Sequence, residues 1–470
     1  MSVIGSQDGS GLSARLAPTV LYGRARAWLA DRSDHSLAQR MAGNAFLIRV
    51  ASAVLVYLTQ VLLARWMGDF EFGIYVYVWT WVLLVGAVVD FGLASAAQRF
   101  IPEYTGLRTF ALLRGFLSGS RWLTLALATV FAGLGTLGIW LFEPWISGYQ
   151  VMPLYLACAT LPFFALTHMQ EGIARAYGWV NLALLPPYVV RSVALIGVMA
   201  AANAAGFAAT AVTAMTAAVI ATWLTALVQV AMLDRRLRRT VAPGPKAFEA
   251  ATWFMTAIPI FMVEGFYFLL TYTDVLVLQQ FRPPQEVALY YAAAKTLALV
   301  AFVHYSVAAA TTHKFTEYHV RGDRAQLAAF LSQAIRWTFW PSLAATVLIL
   351  ALGRPFLWLF GPRFVDGYSL MFILAVGPLA RSAIGPVERL LNMVGEQRAC
   401  ALVYGGAFTF NLAACLVLIP LMGVHGAAVA TASAVLVESA LLFWVTKRRL
   451  GLHVFIWRGP KRRIANEKGE

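Results

Sequence analysis

The chain has 470 residues, 60% of them hydrophobic and only 13% charged, with a formal net charge of +15 and a mean hydropathy of +0.69. A soluble domain carries roughly a quarter of its residues as charge, so these proportions exclude a soluble globular fold. The apolar runs are about twenty residues long, enough to cross a bilayer, and show none of the short alternating segments of a β-barrel.

In chain order, residues 1–42 are polar and Arg-containing and lack a cleavable apolar core, so they read as a cytoplasmic extension with a short amphipathic piece around Leu21–Ala30. Hydropathy then predicts spans near 43–64, 74–97, 115–141, 151–170, 181–202, 206–232, 252–279, 287–311, 327–351, 368–392, 399–419 and 424–446. Lipid offers backbone groups no partner, so each run is expected to be a helix. The predicted fold is all-α and polytopic, with about twelve transmembrane helices in two pseudo-symmetric six-helix lobes. These are an N-lobe at 43–233, a cytoplasmic linker at 234–249 around Pro243-Gly-Pro245, a C-lobe at 250–446, and a basic cytoplasmic tail at 447–470. Cys158, Cys400 and Cys415 sit in or beside apolar runs, without metal or disulfide spacing, and read as small buried hydrophobes.

The loops set an orientation. With the N-terminus inside, the cytoplasmic segments collect Arg15 to Arg40, Arg99, Arg108, Arg114, Arg175, Asp234-Arg-Arg-Leu-Arg-Arg239, Lys246, Lys314, Arg321, Arg324, Arg398 and the tail from Lys447. The opposite segments hold only Arg65, Arg282, Arg354 and Arg363. That asymmetry predicts both termini in the cytoplasm, and it assigns the positive charge to topology and anionic membrane lipids rather than to nucleic acid.

At one constant shift Glu71-Phe-Gly-Ile-Tyr75 falls on Glu286-Val-Ala-Leu-Tyr290, Arg99-Phe100 on Lys314-Phe315, and Arg121-Trp122 on Arg336-Trp337. With a drift of two or three residues, Trp140-Leu-Phe-Glu-Pro144 meets Trp358-Leu-Phe-Gly-Pro362. Each half holds an even number of helices. The repeats are therefore expected to run parallel about an axis along the membrane normal, with substrate between them and alternating access by rocking.

Charges inside spans are costly and mark a cavity or a partner. The basic ones are Arg49, Arg191, Lys295 and Arg381, with Arg336 and Arg389 nearer the cytoplasmic side. Asp90, Glu264, Asp274, Glu388 and Glu438 are acidic. Arg191 and Arg381, near mid-span, lead as binders of an anionic head group, assisted by Arg49, Lys295 and Arg336, because a guanidinium forks onto two oxygens at once. Pro186-Pro187 must disturb the helix just before Arg191. Arg389 is expected to be neutralised by Glu388, and Arg336 shares its repeat position with Arg121. Glu264 and Asp274 are candidates for a coupling proton or sodium ion, or else partners of Arg49 and Lys295. Asp90 reads as a gating residue, a cap or half of an ion pair. His168 and His304 read as satisfied core histidines, isolated from other ligand types, and His313 and His319 as loop residues. No cofactor, metal site, phosphate loop or nucleophile constellation is predicted, so an enzyme is not expected.

The segment Ala64-Arg-Trp-Met-Gly-Asp-Phe-Glu-Phe-Gly-Ile-Tyr75, followed by Asp90-Phe-Gly-Leu93 and Arg99-Phe-Ile-Pro-Glu-Tyr104, resembles the polysaccharide-transporter branch of the MOP superfamily, the O-antigen and exopolysaccharide repeat-unit flippases. The resemblance is close over the first three helices and by layout beyond them. It implies a two-lobe fold in the bacterial cytoplasmic membrane that moves an undecaprenyl-diphosphate-linked oligosaccharide between leaflets and works alongside polysaccharide polymerase machinery. Two other readings stand beside it: a cation-coupled drug exporter of the same superfamily, and a membrane glycan ligase or polymerase. Exporters commonly place a carboxylate in the first helix of a lobe, where this chain has Arg49. Ligases usually carry one long extracytoplasmic loop, and none is evident.

Overall fold

The computed structural model describes residues 34–457; the expected extension up to residue 33, with its amphipathic piece, the tail beyond 457 with Lys461-Arg-Arg463, and the side chains of His313 and His319 lie outside the described residues. Among the described residues there is no strand. The first helix, α1 (Asp34–Val88), is interrupted at Gly68, whose φ of 77° and ψ of 176° suit a residue without a Cβ. Next come α2 (Leu93–Gly106), α3 (Phe110–Phe142), α4 (Gly148–Ala176), the short α5 (Val180–Leu184), α6 (Arg191–Ala204) and α7 (Ala211–Thr240). The second half of the chain gives α8 (Ala250–Phe281), α9 (Pro284–Leu297), α10 (Ala301–Val320), α11 (Arg324–Ala351) and α12 (Gly353–Phe360). It ends with α13 (Tyr368–Ile384), α14 (Val387–Met393), α15 (Gln397–Met422) and α16 (Val424–Leu450).

Among the described residues, eleven stretches are long and apolar enough to cross a membrane, and the first, Ile48–Gly106, has 59 residues. At about 1.5 Å per residue the helical parts on either side of Gly68, up to Val88, are each about as long as the ~30 Å hydrocarbon thickness, so this stretch makes two crossings and the described stretches make twelve. The chain is therefore a multi-pass helical membrane protein.

The residues up to Ala51 and those from Ser52 form separate units. In the first, Arg49 is exposed on the early turns of α1. In the second, α4 packs on α2, α3 and α7, while α15 packs on α8 and α16, and α13 on α11 and α16. Helices of the two sequence halves meet at two levels. Near Gly68, Arg65 donates to the carbonyls of Leu359 at 2.7 Å and Trp358 at 2.6 Å, and Arg363 pairs with Asp69 at 3.2 Å. Phe72 packs on Tyr291, Phe360 and Phe364. The fit is close at Gly73, where a Cβ would sit 1.9 Å from the carbonyl oxygen of Pro284. Further along, Trp253 of α8 donates to the hydroxyl of Tyr104 at 3.0 Å, and Ser95 of α2 donates to Glu264 of α8 at 2.6 Å. The linker is tied down as well: Arg114 donates to the carbonyls of Pro245 at 2.8 Å and Ala242 at 3.1 Å.

Candidate substrate site between the two halves

Arg191 owes its place to the prolines before it. Pro186 and Pro187 have no N–H to donate, so residues Leu185–Val190 open into a π-turn and the Arg191 amide reaches back to the carbonyl of Pro186. The carbonyl of Leu182, four residues before Pro186 and so without its helical donor, accepts instead from Gln229 at 3.4 Å. The turn delivers the Arg191 guanidinium to two aromatic faces, 5.5 Å from the Trp79 ring centre and 5.3 Å from that of Phe164. Its electrostatic neighbours are Tyr188, Tyr75 and Glu171 and, from α8 in the other half, Tyr272.

From the second half, Lys295 on α9 sits 5.0 Å from the ring centre of Tyr291. Its charge reaches Tyr272, which also neighbours Tyr188 and Tyr291. Tyr75 in turn neighbours both Tyr291 and Arg191. Arg191 and Lys295 therefore border one tyrosine-lined region to which both halves contribute. Among the described residues neither cation has an ion-pair partner within 4.0 Å. Cation–π contacts are worth about 0.5–2 kcal/mol, enough to hold a cation in place but less than a carboxylate or phosphate offers.

Arg381 is placed differently. Its Nη2 donates to both oxygens of Glu438, at 2.6 and 2.7 Å, and Glu438 is fully buried. That charge is committed inside the second half, with Tyr267 5.8 Å away. Arg336 is exposed on α11, and its repeat counterpart Arg121 pairs with Asp234 at 2.6 Å. Arg389 lies 3.4 Å from Glu388, as the sequence suggested, and Glu388 also accepts from Tyr404.

The carboxylates mostly serve neighbours that the sequence did not reveal. Asp90 is buried in the break between α1 and α2, where its oxygens accept from the amides of Gly92 at 3.0 Å and Ala94 at 3.1 Å. It thus caps α2, and it lies 3.3 Å from Nδ1 of His168, so His168 is not the isolated histidine expected. Glu264 binds Ser95 rather than a cation. Asp274 accepts from Tyr290, from Thr431 at 3.2 Å and from the Val275 amide at 2.8 Å. Glu171, which sequence reasoning did not single out as a site residue, accepts from Arg175 and from Tyr188 at 3.4 Å.

A family model described as polysaccharide biosynthesis protein matches residues 42–312. No curated protein shows a significant match to the sequence. Solved structures do match in fold. An inward-facing multidrug resistance MATE family transporter of the MOP superfamily superposes with a TM-score of 0.72 at 16% identity, covering 86% of this chain and 98% of that one. The lipid II flippase MurJ, in an inward closed conformation, gives 0.68 at 16% identity, covering 85% and 87%. A MOP superfamily transporter from Pyrococcus furiosus, described as having a binding pocket of reversed polarity, gives 0.65 at 16% identity, covering 87% and 95%.

Proposed function

Because the chain belongs to the polysaccharide biosynthesis protein family, we propose that it is a flippase carrying an undecaprenyl-diphosphate-linked oligosaccharide across the bacterial cytoplasmic membrane. The observation that carries this reading is the pair Arg191 and Lys295, one from each half, both resting on aromatic rings and neither paired with a carboxylate among the described residues. A diphosphate offers several oxygens to such a pair, and charge-assisted hydrogen bonds are worth about 1.5–3 kcal/mol each. That exceeds the ring contacts, so the cations can pass from the rings to an arriving head group and return when it leaves. The tyrosines around them suit a polar, partly hydrated lumen. Arg381, spent on Glu438, is assigned to the frame of the second half rather than to cargo.

Transport follows from alternation of the two levels at which the halves meet. Parting at the Arg65, Asp69 and Arg363 level would open the site to one face, and parting at the Ser95–Glu264 level to the other. The lobe boundaries at 43–233 and 250–446, and cytoplasmic termini, are part of the proposal and rest on the internal repeat and the distribution of basic residues. An exporter of cationic drugs is disfavoured because the unpaired charges at the interface are positive. The test is translocation of a fluorescent polyprenyl-diphosphate saccharide by the purified chain in liposomes. Movement of that lipid but not of a cationic drug is expected; the reverse preference would refute the reading.

A further inference from the structure

Within the second half lies a cavity of about 120 Å³ lined by Val300, Ala301, His304, Tyr305, Ser342, Gly377, Pro378, Arg381 and Val435. Several of its polar atoms lack a partner among the described residues. His304 is only 7% exposed, yet neither ring nitrogen has a partner, and the Ser342 hydroxyl and the Arg381 Nε are also buried without one. Buried polar groups are nearly always bonded, to protein or to water. The set mixes donors with an acceptor: a neutral imidazole offers one of each, a hydroxyl both, and the guanidinium only donors. A single anion or cation cannot satisfy such a set, whereas water can, and the volume holds several molecules.

We infer that this cavity is a hydrated proton site with His304 as the proton carrier, a reading that rests on the transport function above and names its driving ion. The charged and titratable groups around the ring lie on five helices. They are Tyr305 beside it on α10, Arg381 on α13, Glu388 and Arg389 on α14, Glu438 on α16 and, bonded to Tyr305 at 3.0 Å, Tyr267 on α8. The two carboxylates balance the two guanidiniums, so the cluster is neutral while the imidazole is neutral. A proton carried on the cavity water as hydronium passes to the free ring nitrogen and leaves a neutral water behind; the ring later returns it to another water as hydronium, and no other bond changes. While it is held, the added charge repels Arg381 and attracts Glu438, loosening the pair that ties α13 to α16. Pro378 within α13, and Gly385 beyond its end with φ 67°, give that helix room to respond.

The experiment uses the full chain in liposomes containing a pH-sensitive dye and a fluorescent polyprenyl-diphosphate saccharide, with proton flux and lipid movement read separately. In His304→Gln, which keeps hydrogen bonds but cannot take up a proton near neutral pH, proton flux is expected to fall about a hundredfold. Down-gradient lipid equilibration should persist, and only accumulation driven by a pH gradient should vanish. Ser342→Ala, which interrupts the water chain with little change of shape, should slow proton flux about tenfold and covers the case of a poorly folded His304 variant. Wild-type flux in a folded His304→Gln protein, or in Ser342→Ala, would overturn the inference. Lipid movement by the wild type with no proton flux would also overturn it and leave the flippase reading standing. Proton flux lost on His304 replacement in a protein that moves no lipid would keep this site and remove the substrate assignment.

Discussion

Arg191 and Arg381 are both mid-span arginines, yet the structure predicts opposite behaviour when each becomes alanine. Arg381→Ala strands Glu438, which is fully buried and accepts two hydrogen bonds from Arg381. Removing one partner of such a pair costs about 3–5 kcal/mol, a large share of the roughly 5–15 kcal/mol that holds a typical domain together. Protein level and melting temperature should therefore fall. Arg191→Ala removes two ring contacts of about 0.5–2 kcal/mol each and leaves no stranded charge, so the protein should accumulate near normally. Its lipid translocation should drop about ten- to a hundredfold, from the loss of one charge-assisted interaction with the diphosphate. Arg191→Lys should recover part of this, the charge returning without the fork. Replacing both members of the buried pair, as Arg381→Met with Glu438→Leu, should restore most of the protein level. The assay is fluorescence-detected chromatography and thermal melting of each variant beside lipid translocation in liposomes. Full-rate translocation by Arg191→Ala, or normal yield and melting of Arg381→Ala, would refute the division of labour.

Alkaline-phosphatase fusions after Phe70, Arg282 and Arg354 should be active, and those after Arg108, Arg238 and the final residue silent; an active C-terminal fusion would contradict the proposed orientation. Cysteine pairs replacing Asp69 and Arg363 at one level, and Ser95 and Glu264 at the other, should each block translocation on cross-linking and release it on reduction. If both cross-linked proteins still move lipid, the two halves do not rock. Asp90→Ala should lower the melting temperature, because it loses the α2 cap, worth about 0.5–2 kcal/mol, and leaves His168 without its carboxylate. Asp90→Asn, which retains an acceptor, should lie between alanine and wild type.

The crossings were legible because apolar length is a local property, and the predicted spans fall mainly on helices, although 74–97 is broken after Val88 and 368–392 after Ile384. What composition could not show was where a helix breaks without turning polar. Val88-Val89-Asp90-Phe91-Gly92-Leu93 reads as one apolar run, yet the helix stops there, with Phe91 at φ 50° and Gly92 at φ 81°. The turn at Gly68 was likewise expected as a loop of several residues and is made by one. Partnerships were less accessible still. Arg381 and Glu438 lie 57 residues apart, Asp90 and His168 78 apart, and no spacing rule connects them. Arg191 stood out for a local reason, the two prolines before it, whereas the tyrosines around it come from four helices or turns and carry no shared motif.

The π-turn before Arg191 has a consequence for how this region tolerates change in length. Each residue of an α-helix advances the side chain by about 100° around the axis, and a π-turn inserts roughly one extra step. Deleting a single residue from Leu185–Val190 would let the helix close up regularly with its flanks in register, whereas replacing both prolines so that the turn tightens with every residue kept would swing the guanidinium about a quarter turn, away from Trp79 and Phe164. The double proline thus acts as an indexing device: it fixes the compass bearing of one charge while leaving the length and hydrophobicity of the crossing almost untouched.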